Sequence, residues 1–275
     1  MENPQKPFEG FRFNKALGQN FLSDKNLLAA ICDDAGIQEG DTVVEIGTGA
    51  ATLTEALLKC GAFVYTFEVD ERLEPLIKNR LIDYSKYKIS FLDVLKIKDD
   101  RFEEICPEPF KVVANLPYYV TTPLIMRFLE SDLKYLSLTL TVQKEVGERL
   151  CAKEGTADYG AVTVSVQSYC DVEIKRIIDK KMFYPAPKVD SCVIKLTPHG
   201  NKFAVKDRAV FNRTVRAVFC ARRKTLENNL KAAFSLTKEQ CEEIFEAMGL
   251  PPMIRGEKLS VSQFVTLSEL VASKL

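Results

Sequence analysis

The strongest constraint on the fold lies between residues 42 and about 130, where short apolar, β-branched runs alternate with stretches of helical periodicity. The runs are Thr42–Ile46, Phe63–Glu68, Lys88–Leu92 and Lys111–Ala114. Between the second and third, Leu73, Leu76, Ile77, Leu81 and Tyr84 recur at helical spacing. Pro75 fits that helix if it falls in the first turn, where amide hydrogens lack intrahelical partners. Repetition of strand, helix and strand predicts a parallel sheet with helices on both faces, an α/β architecture. Thr122 as N-cap and Pro123 at the first helical position predict a further helix over Leu124–Leu129. Leu136–Val142, Val162–Val166 and Ser191–Leu196 supply three more strand candidates, for seven in all.

Beyond Pro198 the β signal stops. Capping boxes at Thr237/Gln240 and Ser260/Gln263, and a stop at Gly249, predict a helical tail. A length of 275 residues suits one substantial core with a smaller appendage. The expected division is a domain over 1–202 and a helical domain over 203–275. Eight scattered cysteines form no CxxC pair, and the sole histidine, His199, has no cysteine at zinc spacing, so no metal site is expected. No secretory or Arg-rich leader and no run of about 18 apolar residues is present, which predicts a cytoplasmic protein without membrane segments.

The formal charge is zero, but it is unevenly spread. Residues 201–231 hold nine Lys or Arg against Asp207 and Glu227, a local excess of seven that the rest of the chain cancels. Such asymmetry fits a polyanion site on an otherwise neutral protein, with Arg213, Arg216, Arg222, Arg223 and Lys224 as candidate contacts. A solvated basic helix face would look the same.

Glu45-Ile46-Gly47-Thr48-Gly49 follows a predicted strand and precedes a helical stretch over Ala51–Leu58. Glycines there let backbone approach a ligand, and the helix start offers unpaired amides. The dinucleotide fingerprint fails, because Thr52 stands at the third glycine position. Glu68 closes the second strand, where an acid can accept from ribose hydroxyls, and Asp93 follows the third, where it can accept from an adenine amine. Three polar features at successive strand ends predict a nucleoside cofactor, with NAD as the alternative.

Asn115-Leu116-Pro117-Tyr118 follows the fourth strand. As well as forming a turn, this group suits one chemical task. The exocyclic amine of adenine has two hydrogens and a lone pair delocalised into the ring. The Asn115 side-chain oxygen and a backbone carbonyl near Leu116 could hold both hydrogens and favour a more tetrahedral nitrogen. Displacement at a sulfonium needs alignment more than acid–base chemistry, which matches the lack of an evident catalytic His or Cys. Tyr118 can stack on the base.

In these motifs the chain resembles the KsgA family of small-subunit ribosomal RNA adenine dimethyltransferases. The match starts at Lys15-Ala16-Leu17-Gly18-Gln19-Asn20-Phe21-Leu22 and runs through the glycine loop, Glu68, Asp93 and Asn115–Tyr118. It continues through Gln143-Lys144-Glu145-Val146, Tyr159-Gly160 and Phe183-x-Pro185-x-Pro187-x-Val189-Asp190-Ser191. The resemblance implies a Rossmann-like, seven-stranded domain with a helical C-terminal domain. It implies S-adenosylmethionine held by Asn20, Leu22, Gly47, Gly49, Glu68, Asp93 and Asn115, and a target base clamped by Tyr118 and Phe183. The implied reaction methylates the N6 amines of two adjacent adenosines in the 3′-terminal hairpin loop of small-subunit RNA, within a pre-ribosomal particle, by a monomer. Thr48 and Ala50-Ala51 depart from the Pro and third Gly common in relatives, which bears on cofactor affinity.

Three other readings compete. One is the antibiotic-resistance type of adenine dimethyltransferase acting on large-subunit RNA, against which the Phe-x-Pro-x-Pro segment argues. Another is a glutamine or DNA-amine methyltransferase, whose corresponding element has a proline where this chain has Leu116. The third is a non-enzymatic role in ribosome assembly or organellar transcription, against which the intact Asn115–Tyr118 element argues.

Overall fold

The computed structural model describes residues 20–107, 109–200 and 202–275. In chain order the elements begin with β1 (Phe21–Leu22), α1 (Lys25–Ala35), β2 (Thr42–Ile46), α2 (Thr52–Lys59), β3 (Phe63–Glu68), α3 (Glu74–Arg80) and β4 (Tyr87–Phe91). There follow α4 (Asp99–Ile105), β5 (Phe110–Asn115), α5 (Thr121–Leu129), β6 (Tyr135–Gln143), α6 (Lys144–Leu150) and α7 (Ala161–Gln167). The chain ends with β7 (Cys170–Ile178), β8 (Phe183–Tyr184), β9 (Ser191–Pro198), α8 (Arg208–Cys220), α9 (Leu226–Phe234), α10 (Lys238–Met248) and α11 (Val261–Ala272).

Seven strands form one sheet in the order β4-β3-β2-β5-β6-β9-β7. The pairs from β4 to β6 are parallel and β6–β9 is antiparallel. From β2 the chain builds outward to β3 and β4 on one side, then returns to place β5 and β6 on the other. The switch point therefore lies between β2 and β5, and at their carboxyl ends a crevice opens. Register brings these ends level, since Ile46 lies opposite both Phe67 and Ala114.

Both sheet faces are covered, which is why the parallel strands are apolar on each side. Val43, Val64 and Val113 pack with Ile31, Leu57 and Ile77 in one buried cluster. Phe67, three residues beyond Val64, turns to the other face and joins Phe102, Phe110 and Phe128, with neighbouring ring centroids 5.4–6.4 Å apart. α1 is bounded by Asp24, whose carboxylate accepts the Leu27 amide at 2.8 Å, and by Gly36 in the left-handed region.

The chain divides into two compact units, one holding the residues up to Gly147 with Val172–Pro198, the other Glu148–Asp171 with His199–Leu275. The expected single cut between 202 and 203 is thus replaced by an exchange of segments. Glu148–Asp171 joins the helical unit because it contributes buried side chains there: Tyr159 and Val164 pack with Phe211, Val215, Leu230 and Phe264. Both predicted capping boxes are reciprocal. Thr237 accepts the Gln240 amide at 3.2 Å and its own amide donates to Gln240 at 2.8 Å, and Ser260 and Gln263 do the same at 3.3 and 2.9 Å. Gly249 ends α10 at φ +63°.

Three local expectations need correction. Val162–Val166 is helical, not extended: α7 buries Thr163, Val164 and Val166. The Thr163 hydroxyl accepts the Gly160 amide and donates to the Arg149 carbonyl, so packing and capping override the β preference of a V-T-V-S-V run. The seventh strand is β7 instead, an edge strand whose exposed positions carry Asp171, Glu173 and Lys175. Pro123 sits third in α5, after Thr121 and Thr122, with Val120 as the N-cap and no side-chain cap.

Candidate active site

The loops at the carboxyl ends of β2, β3, β4 and β5 enclose a cavity of about 340 Å³, within the usual range of small-molecule sites of roughly 300–1,000 Å³. Leu22 enters it from the short β1 and Asn20 from just before that strand, Gly47 and Gly49 from the turn after β2, and Glu68, Asp93, Asn115 and Leu116 from the following strand ends. The structure thus brings all seven residues expected to hold a cofactor to one cavity. Lys15–Gln19, the opening part of the first motif, lies outside the described residues.

The glycine turn is shaped for close backbone approach. Gly47 and Gly49 have φ of +81° and +54°, and a Cβ would stand 2.8 Å from Leu116 Cδ2 at the first and 2.7 Å from Phe21 Cε1 at the second. Side chains at either position would fill the cradle or strain it. Ala51, in place of a glycine, is held at φ +58° and fully buried at the start of α2; the left-handed region costs a non-glycine about 1–2 kcal/mol. Thr48, the other departure, hydrogen-bonds the Thr66 hydroxyl at 2.6 Å in the interior.

Glu68 organises the turn. One carboxylate oxygen accepts the Gly49 amide at 2.8 Å, and the other accepts the Val69 and Asp70 amides at 2.8 and 3.0 Å. It is buried, at the cavity wall. Asp93 accepts the Leu95 amide at 3.1 Å and pairs with Lys96 at 3.1 Å. Asn115 donates its side-chain amide to the Asn20 carbonyl at 3.4 Å, which commits the nitrogen side of the group and keeps the oxygen as an acceptor.

The two aromatic residues behave differently from each other. Tyr118 opens a single 3₁₀ turn after Pro117, is half-buried, and hydrogen-bonds Ser191 at 2.8 Å. Phe183 is only 3% exposed: β8 pairs with β1 and sets Phe183 opposite Leu22, where it packs into the core cluster. No face of its ring is presented to a base in this conformation. Tyr119, which the sequence reading passed over, lines the cavity and is 64% exposed.

A second residue missed by the sequence reading is Glu45. It is completely buried under the glycine turn and accepts the Thr54 hydroxyl at 2.6 Å. Burial pushes its carboxyl up to about 8, helped by the charge of Glu68 and opposed by hydrogen bonds from Thr54 and Thr66. An acid inside the apolar run Thr42–Ile46 was the available signal.

In the helical unit, the basic segment separates into two groups. Lys202, Lys206 and Lys231 pair with Asp171, Glu269 and Glu227. Arg208 donates to Ser168 and lies 3.8 Å from the Tyr169 ring centroid, and Arg213 donates to the Ala233 carbonyl while lying 4.5 Å from that of Phe234. Arg216, Arg222, Arg223 and Lys224 are exposed and form no ion pair among the described residues. Arg222–Lys224 occupy the turn between α8 and α9, not a helix face. Arg213, Arg216 and Lys224 line a further cavity of about 420 Å³ there. Among the described residues no cluster of His, Cys, Asp and Glu could hold a metal ion, and no helix is long and apolar enough to cross a membrane.

Comparison with known proteins adds a family to this geometry. The family model described as ribosomal RNA adenine dimethylase matches residues 10–273. A ribosomal RNA small subunit methyltransferase A from Clostridium acetobutylicum is 45% identical over 262 residues, 94% of each chain. The protein of that name from Lactobacillus helveticus is 43% identical, covering 94% of this chain and 92% of the relative. Among solved structures, a dimethyladenosine transferase from Plasmodium falciparum superposes with TM-score 0.78 at 26% identity, covering 90% of this chain and 95% of the other. The 23S rRNA methyltransferase ErmE superposes with TM-score 0.69 at 23% identity over 92% of this chain and 99% of the other, a likeness of fold.

Proposed function

The chain belongs to the ribosomal RNA adenine dimethylase family, and from that premise we propose that it methylates the N6 amines of two adjacent adenosines in the 3′-terminal hairpin loop of small-subunit ribosomal RNA. S-adenosylmethionine is the proposed donor, and the proposed form is a cytoplasmic monomer acting on a pre-ribosomal small subunit. The chain is an adenine-directed RNA methyltransferase by family; donor, adenosine pair, particle and oligomeric state are our reading.

The observation that carries this reading is the placement of Asn115. Its oxygen is an acceptor at the wall of a cavity whose other walls are the glycine turn, Glu68 and Asp93. Those residues suit the donor: the turn admits a chain close to backbone, Glu68 offers a carboxylate to ribose hydroxyls, and Asp93 offers one to an adenine amine. The donor supplies an activated methyl group on a sulfonium. Asn115 and the Leu116 backbone carbonyl hold the two hydrogens of the target amine and turn its lone pair outward. Tyr118 stacks on the extracted base, typically a contribution of about 1–3 kcal/mol. Phe183, buried against β1, serves as core packing in this conformation.

Small subunits lacking the modification, incubated with the protein and methyl-labelled S-adenosylmethionine, should carry label on two neighbouring adenines, read by mass spectrometry of RNA fragments. Label confined to large-subunit RNA, or absent from both, would overturn the assignment.

RNA docking is assigned to the helical unit, with Arg213 and Arg216 at the cavity wall and Arg222, Arg223 and Lys224 in the exposed turn. Replacing Arg222, Arg223 and Lys224 together with Gln should weaken small-subunit binding and flatten its salt dependence, by roughly 0.7–0.9 in log–log slope per lost phosphate contact. Methylation of a minimal adenine substrate should be nearly spared, because phosphate contacts position a large RNA and do not touch the amine. An unchanged slope across a salt series would remove this turn from the docking surface.

A further inference from the structure

Two motifs far apart in the chain meet at a single hydrogen bond. Tyr118 stands just after the Asn115-Leu116-Pro117 segment, and its hydroxyl lies 2.8 Å from the hydroxyl of Ser191, 73 residues later. Ser191 is the last residue of the Phe-x-Pro-x-Pro-x-Val-Asp-Ser motif and the first of β9, and it is completely buried. Its surroundings are rigid. It lies opposite Gln143 in the β6–β9 ladder, and the preceding Asp190 accepts the Lys144 amide through its carbonyl and the Lys180 amide through its carboxylate. Tyr118, by contrast, belongs to a one-turn 3₁₀ segment without a side-chain cap. A ring hung on a short loop has rotational freedom unless its far end is tied, and Ser191 ties it.

We infer that Ser191 is a positioning residue for methyl transfer: through its hydroxyl it holds the Tyr118 ring in the orientation that receives the target base. This rests on the stacking role given to Tyr118 above. A preset ring face avoids ordering cost when the base arrives, so the benefit belongs in turnover on bound RNA and not in cofactor binding. The phenol keeps its proton in this arrangement. Burial raises the Tyr118 phenol above its ordinary range, with the Ser191 bond opposing part of that rise, so it stays a neutral partner at neutral pH.

The test is a double-mutant cycle on the full chain with Ser191→Ala, Tyr118→Phe and the double variant, alongside Tyr118→Ala. Single-turnover rates on small subunits and calorimetric cofactor affinity are read for each, with thermal unfolding to confirm folding. Ser191→Ala and Tyr118→Phe should each slow transfer about three- to tenfold, the scale of one net hydrogen bond. Cofactor affinity should not change, and the double variant should be no slower than either single one. Additive losses, or an unaltered rate in Ser191→Ala while Tyr118→Ala is inactive, would overturn the positioning role and leave the stacking role standing. A loss above about a hundredfold in Tyr118→Phe with only a small one in Ser191→Ala would also overturn it, because the hydroxyl would then act on the reaction itself. Full activity in Tyr118→Ala would remove the stacking reading beneath both. Should Ser191→Ala fail to fold, Tyr118→Phe, which keeps the ring and removes only its tie, still decides.

Discussion

Asn115→Ala is expected to lower methyl transfer by about 10²–10³-fold, the range seen when a single preorganised polar group is taken from a reacting centre. The fold should survive, since the one hydrogen bond lost from Asn115 is long, 3.4 Å to the Asn20 carbonyl, and sits at the edge of the cavity. RNA affinity should change far less than turnover, because in the mechanism proposed the side chain would act on one amine within a large contact surface and its contribution would be realised chiefly as the nitrogen becomes tetrahedral. Asn115→Asp makes a useful companion. It preserves an acceptor but replaces the donor that faces Asn20 with a second anionic oxygen, so it should retain more activity than alanine. The comparison is made by single-turnover kinetics at saturating cofactor and RNA, with filter binding for the RNA. A collapse of RNA binding accompanied by normal turnover on what remains bound would make Asn115 a docking residue, and the amine-acceptor account would be wrong.

Why this site could be read from sequence at all follows from the sheet. β2 and β3 span the predicted Thr42–Ile46 and Phe63–Glu68, because strands buried on both faces are mainly apolar runs, broken here by Glu45 and Thr66, with sharp polar ends. Once those ends are located, the topology alone places Gly47, Glu68, Asp93 and Asn115 around one crevice. β4, β5 and β6 differ from their predicted bounds by a residue or so at the ends.

What escaped reading depends on partners distant in sequence. β7 alternates exposed charged residues with partly buried ones, the pattern of an edge strand, and charge conceals it from any search for apolar runs. α7 carries β-branched residues that only the helical unit's core makes helical. Phe183 is buried opposite Leu22, a placement set by a pairing with a segment far earlier in the chain. Likewise the segment 201–231 shows its excess charge at once, but only the fold shows which of its cations are paired with acids or laid against rings and which, in the turn after α8, form no ion pair among the described residues.

Glu45 is predicted to make stability strongly dependent on pH. Its carboxyl ordinarily titrates near 4.5, and in the folded chain, fully buried and facing Glu68, it is pushed up to about 8. A group raised in this way contributes stability that is fully present below the unfolded value and is lost as pH climbs through the folded one. Between those limits the unfolded chain ionises this carboxyl in water while the folded chain keeps it protonated against the Thr54 hydroxyl. A separation of that size corresponds to about 5 kcal/mol in all, of which roughly 3–4 kcal/mol falls between pH 5.5 and 8.5. Urea unfolding of the wild-type chain and of Glu45→Gln at those two pH values gives the comparison. The remaining titrating groups are common to both proteins, so the difference in pH slope belongs to position 45. The amide cannot ionise, and the variant should lose less stability than the wild type as pH rises, whatever its absolute stability at pH 5.5. Since Thr66 links this carboxyl's surroundings to Thr48 in the glycine turn, cofactor affinity of the wild type should weaken over the same rise in pH and that of Glu45→Gln should not. Parallel stability profiles for the two proteins would mean that the folded chain accommodates the charge, and that the glycine turn is built over an ionised acid.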